Sequence, residues 1–145
     1  MQINNDIKRN YLLLFGDATF FHCGFVILDA ATVLPFLLSL LTKSDLLIGI
    51  VMAIRPLGLF IPQVWSAHKI STMPRHKSFL VGVASVSRSA VLLFSIVLFA
   101  VGKDHKEIVL IAFLLMYTAF WLSEGAAQVT WTDLVAKAIP EKLRG

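Results

Sequence analysis

Four long apolar runs separated by short polar hinges account for most of the chain. The first extends from Tyr11 to Leu41, the second from Leu46 to Trp65, the third from Phe79 to Gly102 and the fourth from Ile108 to about Thr132. The hinges are Thr42 to Asp45, Ala67 to Ser78 and Lys103 to Glu107. The runs are rich in Leu, Ile and Ala and lack the period-two alternation of a barrel strand, which predicts helices. At about 1.5 Å per residue, 20 to 25 residues cross the roughly 30 Å of bilayer hydrocarbon. The pattern therefore predicts one all-α membrane domain over residues 1–145, an integral bundle with four transmembrane helices. The first run is too long for one straight crossing, so it is expected to tilt, kink or continue outside the bilayer.

Composition agrees with this reading. Of 145 residues, 57% are hydrophobic and only 15% charged, with a mean hydropathy of +0.78. Soluble domains carry about 25% charged and about 45–50% apolar residues. This chain has too little polar surface to cover a globule, and the excess has to face lipid. The first run is not expected to be a removable signal, because it far exceeds a signal's roughly 7–15-residue apolar core and contains Asp17 and Asp29. A single cysteine, Cys23, gives no disulfide framework. There is no metal-ligand spacing, nucleophile–base pair or glycine-rich phosphate loop, so neither metal, cofactor nor enzymatic activity is expected.

Charge distribution predicts the orientation. With four spans, one side holds Lys8, Arg9, Lys69, Arg75, Lys77, Lys137, Lys142 and Arg144, and the other only Lys43, Lys103 and Lys106. The positive-inside rule places both termini and the Ala67–Ser78 loop in the cytoplasm of a cell whose inner membrane holds the protein. Tyr11, Trp65 and Trp131 then fall near the interface favoured by amphipathic rings. The basic residues form no stripe with interleaved aromatics, and the net charge of +4 calls for no nucleic-acid partner. Lipid is the partner it requires.

The remaining charges lie within the apolar runs. Arg55 is near the middle of the second, where a charge costs roughly 2.5–3.5 kcal/mol on insertion scales. Such residues usually face a bundle interior or a wet cavity. Asp29 and Glu124 are the acidic candidates to pair with Arg55 and with Arg88, the buried charge of the third run. Pro56 removes a backbone donor beside Arg55. Gly58 and Pro62 share a face on which a neighbouring helix can approach. The segment Arg55, Pro56, Gly58 and Pro62 is read as a moving or ligand-facing kink, with an ordinary kink and a snorkelling arginine as the plainer alternative.

On the fourth run, Tyr117, Trp121, Glu124, Gln128 and Trp131 recur in steps of four and three and so share one helical face. A polar and aromatic stripe on an apolar helix fits the lining of an aqueous pathway; a packing seam is the alternative. The first run has a weaker stripe of His22, Asp29 and Phe36, in which a His and an Asp two turns apart could relay protons or hold a cation. Asp17 is expected nearer solvent. Gly82, Ser85 and Ser89 form a small-residue seam on the third run. Ser71 and Thr72 read as a polar hinge.

This layout resembles the N-terminal third of a major facilitator superfamily transporter, with a bacterial character. Four stretches carry the resemblance: FVILDAATVLPFLLSLLTKS at 25–44, LLIGIVMAIRPLGLFIPQ at 46–63, the basic loop ending Arg75-His76-Lys77, and DLVAKAIPEKLRG at 133–145. The family's loop pattern, a glycine and an acidic residue before the basic end, is only half kept, since Ala67 and Ser71 stand at those two positions. The resemblance implies a cavity lined by the first and fourth helices, a gating second helix and a peripheral third. It also implies that the chain covers four of twelve helices and is truncated before a fifth.

The function expected is that of a fragment of a secondary active transporter of a small solute, proton-coupled through Asp29 or Glu124. It would work with the missing C-terminal helices or a second chain. Two other readings stand beside it: a self-contained four-helix multidrug exporter acting as a dimer, and a non-transporting membrane subunit.

Overall fold

The structure, a computed structural model, describes residues 2–26, 33–102 and 104–139. Among these the regular structure is helical: α1 (Gln2–Phe25), α2 (Val33–Leu41), α3 (Asp45–Thr72), α4 (His76–Val101) and α5 (Lys106–Ala138). Local chemistry sets the boundaries. Ser44 caps α3 by accepting from the Leu47 amide, and Asp45 adds a negative charge to the first turn. Met73 and Ile139 take extended conformations, φ −98° and −119°, because each precedes a proline, which disfavours helix at that position. Gly102 ends α4 at φ +58°, in the left-handed region open to glycine. Pro35 falls in the first turn of α2, where its missing N–H costs nothing. Pro56 and Pro62 are both accommodated inside an unbroken α3.

Three helices, α3, α4 and α5, are long and apolar enough to cross a membrane. The first apolar run was expected to form a single span, tilted, kinked or extended. Its described parts are α1, which ends at Phe25, and α2, whose nine residues cover about 14 Å, with residues 27–32 between them outside the described residues. The hinge expected over Ala67–Ser78 shrinks to 73–75, because α3 continues to Thr72 and α4 begins at His76. Asp29, Thr32 and the segment after Ile139 lie outside the described residues.

Helix α5 is the centre of the bundle. Close to half of its apolar window is buried, against about a tenth for α3 and less for α4. Helix α3 lies parallel to it, with Gly58 against Trp121 and Gln63 bonded to Gln128. Helix α4 lies antiparallel, with Phe94 against Phe113 and Arg88 against Glu124. The first apolar run follows α5 in reverse, from Phe25 stacked near Phe120 to the Leu40 carbonyl, which accepts from Lys106 Nζ at 3.1 Å. The core gathers Leu34, Leu38, Val51, Phe113, Tyr117 and Trp121. Outward faces of α3 and α4 carry Leu57, Phe60, Ile61, Leu92, Leu93, Ile96 and Phe99, all exposed. Contiguous apolar surface of that size marks a face made for lipid or another protein.

Close packing comes from glycine, on α3 where Gly58 suggested it and on α5, and not from the small-residue seam of the third run. An added Cβ at Gly58 would lie 2.6 Å from Trp121 Cβ, and one at Gly125 would overlap the Gly58 carbonyl oxygen. The backbones of α3 and α5 therefore touch here, the approach expected at Gly58. The Gly82, Ser85 and Ser89 seam instead faces outward. All three are exposed, and an added Cβ at Gly82 meets nothing within 4 Å.

Candidate functional site

Three polar clusters interrupt the apolar packing, and each bridges two helices. The first is an ion pair between α4 and α5. Arg88 Nη1 donates to Glu124 Oε1 at 2.6 Å. The Ser87 hydroxyl lies 2.7 Å from the same oxygen and accepts from Arg88 Nη1 at 2.8 Å. Glu124 retains 13% of its side-chain exposure and Arg88 51%, so the carboxylate is the more strongly desolvated partner. The Arg88 guanidinium also rests 5.3 Å from the Phe21 ring centroid, which links α1 to the pair. An acid and a base in apolar surroundings offset part of each other's burial cost.

The second cluster surrounds Arg55 on α3. Its guanidinium carbon is 5.0 Å from the Trp121 ring centroid and 5.6 Å from that of Phe25. Phe25 and Trp121 meet edge to face at 5.4 Å, and Trp121 and Tyr117 at 6.0 Å. Tyr117 and Trp121 were expected to line water. They are instead 0% and 2% exposed, held in the core by α3 on one side and by Phe25 and Phe120 on the other. The Tyr117 hydroxyl and the Trp121 Nε1 neighbour each other, and among the described residues neither has a further hydrogen-bond partner.

The third cluster lies at the C-terminal end of α5, past Thr132, where the apolar segment has ended. Asp133 Oδ2 is 2.6 Å from His76 Nδ1 and 2.8 Å from Lys137 Nζ. Hydrogen bonds from Lys137 and then His76 hold the Asp133 carboxyl below its usual range. Arg75 and Lys77 flank His76 and are exposed. Thus the acid absent from the loop itself is supplied by α5. Beside this cluster an open groove is lined by Gln63, Gln128, Val129, Thr132, Asp133 and Ala136, with Gln63 Nε2 donating to Gln128 Oε1 at 3.1 Å.

The stripe on the fourth run is therefore divided among three neighbours: Trp121 meets Phe25 of α1 and Arg55 of α3, Glu124 faces α4 and Gln128 faces α3. His22 lies within 2.7 Å of the Ala18 carbonyl on its own helix, and Asp29 is outside the described residues. Ser87, His76 and Gln63 were not singled out from the sequence. Hairpin symmetry was the signal available for two of them. The pairs Phe94–Phe113, Arg88–Glu124 and His76–Asp133 are each nearly equidistant from the turn that follows Gly102.

By fold and composition the chain is an all-helical protein with three helices suited to crossing a membrane. It matches no family model, no curated protein and no solved structure.

Proposed function

We propose that the chain forms the first four membrane-crossing helices of a secondary transporter of the major facilitator type. In this reading it sits in the cell membrane with both termini in the cytoplasm and helps to move a small solute. The observation that carries the reading is the Arg88–Glu124 pair with Ser87, a charged network between two apolar helices. Intramembrane ionisable residues are costly, and where they occur they mark ion or substrate pathways. A fourth crossing is supported by the course of the first run, which tracks α5 antiparallel from Phe25 to Leu40. Glu124 and Asp29 are the two carboxylates available for proton coupling. Transporters of this type hold their pathway between two halves, so the complementary helices come from the rest of a longer protein or from a second chain.

The test is proton flux in proteoliposomes that enclose a pH-sensitive dye. Addition of a panel of small solutes should shift internal pH for at least one of them, and Glu124→Gln should reduce that flux by about tenfold or more. Undiminished flux in the variant removes Glu124 from the pathway. Absence of flux for every solute, with or without complementary helices, overturns the transport reading.

A further inference from the structure

Arg55, Tyr117 and Trp121 bring together more hydrogen-bond donors than the described residues around them accept. Arginine carries five N–H donors and no acceptor, and indole Nε1 is a donor only. The Trp121 Nε1 and the Tyr117 hydroxyl are buried side by side, and among the described residues neither has a partner beyond the other, although buried polar atoms are nearly always satisfied. Should the indole N–H turn onto the Tyr117 oxygen, the phenol proton would still lack an acceptor. Among the described residues no carboxylate pairs with Arg55; its contacts there are the faces of Phe25 and Trp121. Ordinary packing would favour Phe or Leu at positions with this burial.

We propose that Arg55, Tyr117 and Trp121 form a binding site for an organic carboxylate with an apolar body. A planar guanidinium fork matches a carboxylate in two-point geometry. The two remaining donors suit its other lone pairs, and the rings of Phe25 and Trp121 suit an apolar body. Arg55 is half-buried and so retains an open side, whereas Tyr117 and Trp121 are closed over. The ligand therefore enters from the Arg55 side and displaces the Phe25 ring. The site lies between the first apolar run, α3 and α5, whereas the hydrogen bond of Ser87 to Glu124 bridges α4 and α5. It rests on the transport reading only for how a solute reaches it.

The experiment uses the full chain in nanodiscs, with Trp65→Phe and Trp131→Phe so that Trp121 alone emits. Benzoate is titrated against its neutral analogue benzamide. The site predicts a saturable change in Trp121 emission with benzoate and only a linear, partition-like response with benzamide. Arg55→Gln should weaken benzoate by about tenfold or more, and Tyr117→Phe, which keeps the ring and removes only the hydroxyl, by a few-fold. Arg55→Lys keeps the charge but loses the fork and should fall between wild type and Arg55→Gln. It serves as the readout if Arg55→Gln does not fold. No preference for benzoate, or equal affinity in the Arg55 and Tyr117 variants, overturns the site. Uptake of radiolabelled benzoate into proteoliposomes separates the two claims. Saturable binding without uptake of benzoate, and without flux for any solute of the panel, leaves the site and removes transport. Solute flux that is blind to benzoate and unaffected by Arg55→Gln leaves transport and removes the site.

Discussion

Replacing Gly125 by alanine adds one methyl group where the backbones of α3 and α5 touch. The new Cβ would fall 2.6 Å from the Leu59 carbonyl oxygen and 3.0 Å from Leu59 Cα. Non-bonded carbons settle at about 3.5–4.0 Å, so the helices must part by about 0.5–1 Å, a gap that forfeits a quarter to a half of each dispersion contact across the seam. Overpacking of this kind costs about 1–3 kcal/mol. Removing a mid-helix glycine returns about 1 kcal/mol of helix propensity, which leaves a net loss of up to about 2 kcal/mol. The same exchange at Gly49 or Gly82, where an added Cβ meets nothing within 4 Å, keeps only the propensity gain and should stabilise by up to about 1 kcal/mol. Unfolding in mixed micelles, followed by tryptophan emission, reads both signs. Gly58→Ala should resemble Gly125→Ala, since its Cβ would lie 2.6 Å from Trp121 Cβ. The double variant should cost less than the sum, because the first methyl has already parted the helices. If Gly125→Ala is as well tolerated as Gly82→Ala, the close crossing is wrong, and with it the placement of Trp121 against Arg55.

Four further outcomes follow from the same geometry. Arg88→Leu strands a Glu124 carboxylate that is only 13% exposed; after discounting for the half-exposed arginine, the loss should be about 1–2 kcal/mol. Arg88→Leu with Glu124→Leu should recover most of it in a double-mutant cycle. The Asp133 carboxyl is held below its ordinary value of 3.8 by Lys137 and His76, so its contribution is complete above that pH and is lost as pH falls through the lower folded value; Asp133→Asn should flatten the acid limb of a stability-against-pH curve. Gln128→Leu removes the bond to Gln63 and should change stability by less than about 1 kcal/mol, near the average of membrane hydrogen bonds. In a Cys23→Ser background, a membrane-impermeant maleimide applied to intact cells should label Asp104→Cys and not Thr72→Cys, and the reverse pattern would invert the proposed orientation.

What the sequence made legible follows from which physical signals are local. Helix type and length were legible because hydropathy and period are properties of a single segment, and the ends of α3 and α4 follow from Ser44, Pro74 and Gly102. The start of α1 at Gln2 was not, because residues 2–10 are mostly polar and precede the first apolar run. The partners of Glu124, Gln128 and Trp121 were hidden for another reason. Period gives the face a residue occupies but not the helix that face meets, and a stripe drifting by tens of degrees can address three different neighbours.

Hydropathy was also silent on which helix is central, since α3, α4 and α5 are similarly apolar. In lipid the hydrophobic effect does not distinguish the buried face of a helix from its outer face. The discriminating residues are the small and polar ones, because they alone permit backbones to touch or give a neighbour something to bond. In α5 these fall together as Ser123, Glu124, Gly125, Ala126, Ala127, Gln128 and Thr130, most of them buried. In α4, Gly82, Ser85 and Ser89 are spread along an exposed face. A run of small residues on several faces at once is the mark of a helix with neighbours all round, whereas the same residues on one face need only a single neighbour or none. This assigns the centre to α5. It also explains why each of the three polar clusters draws on that helix, since only the central helix has a neighbour on each flank to share a charge or a hydrogen bond with.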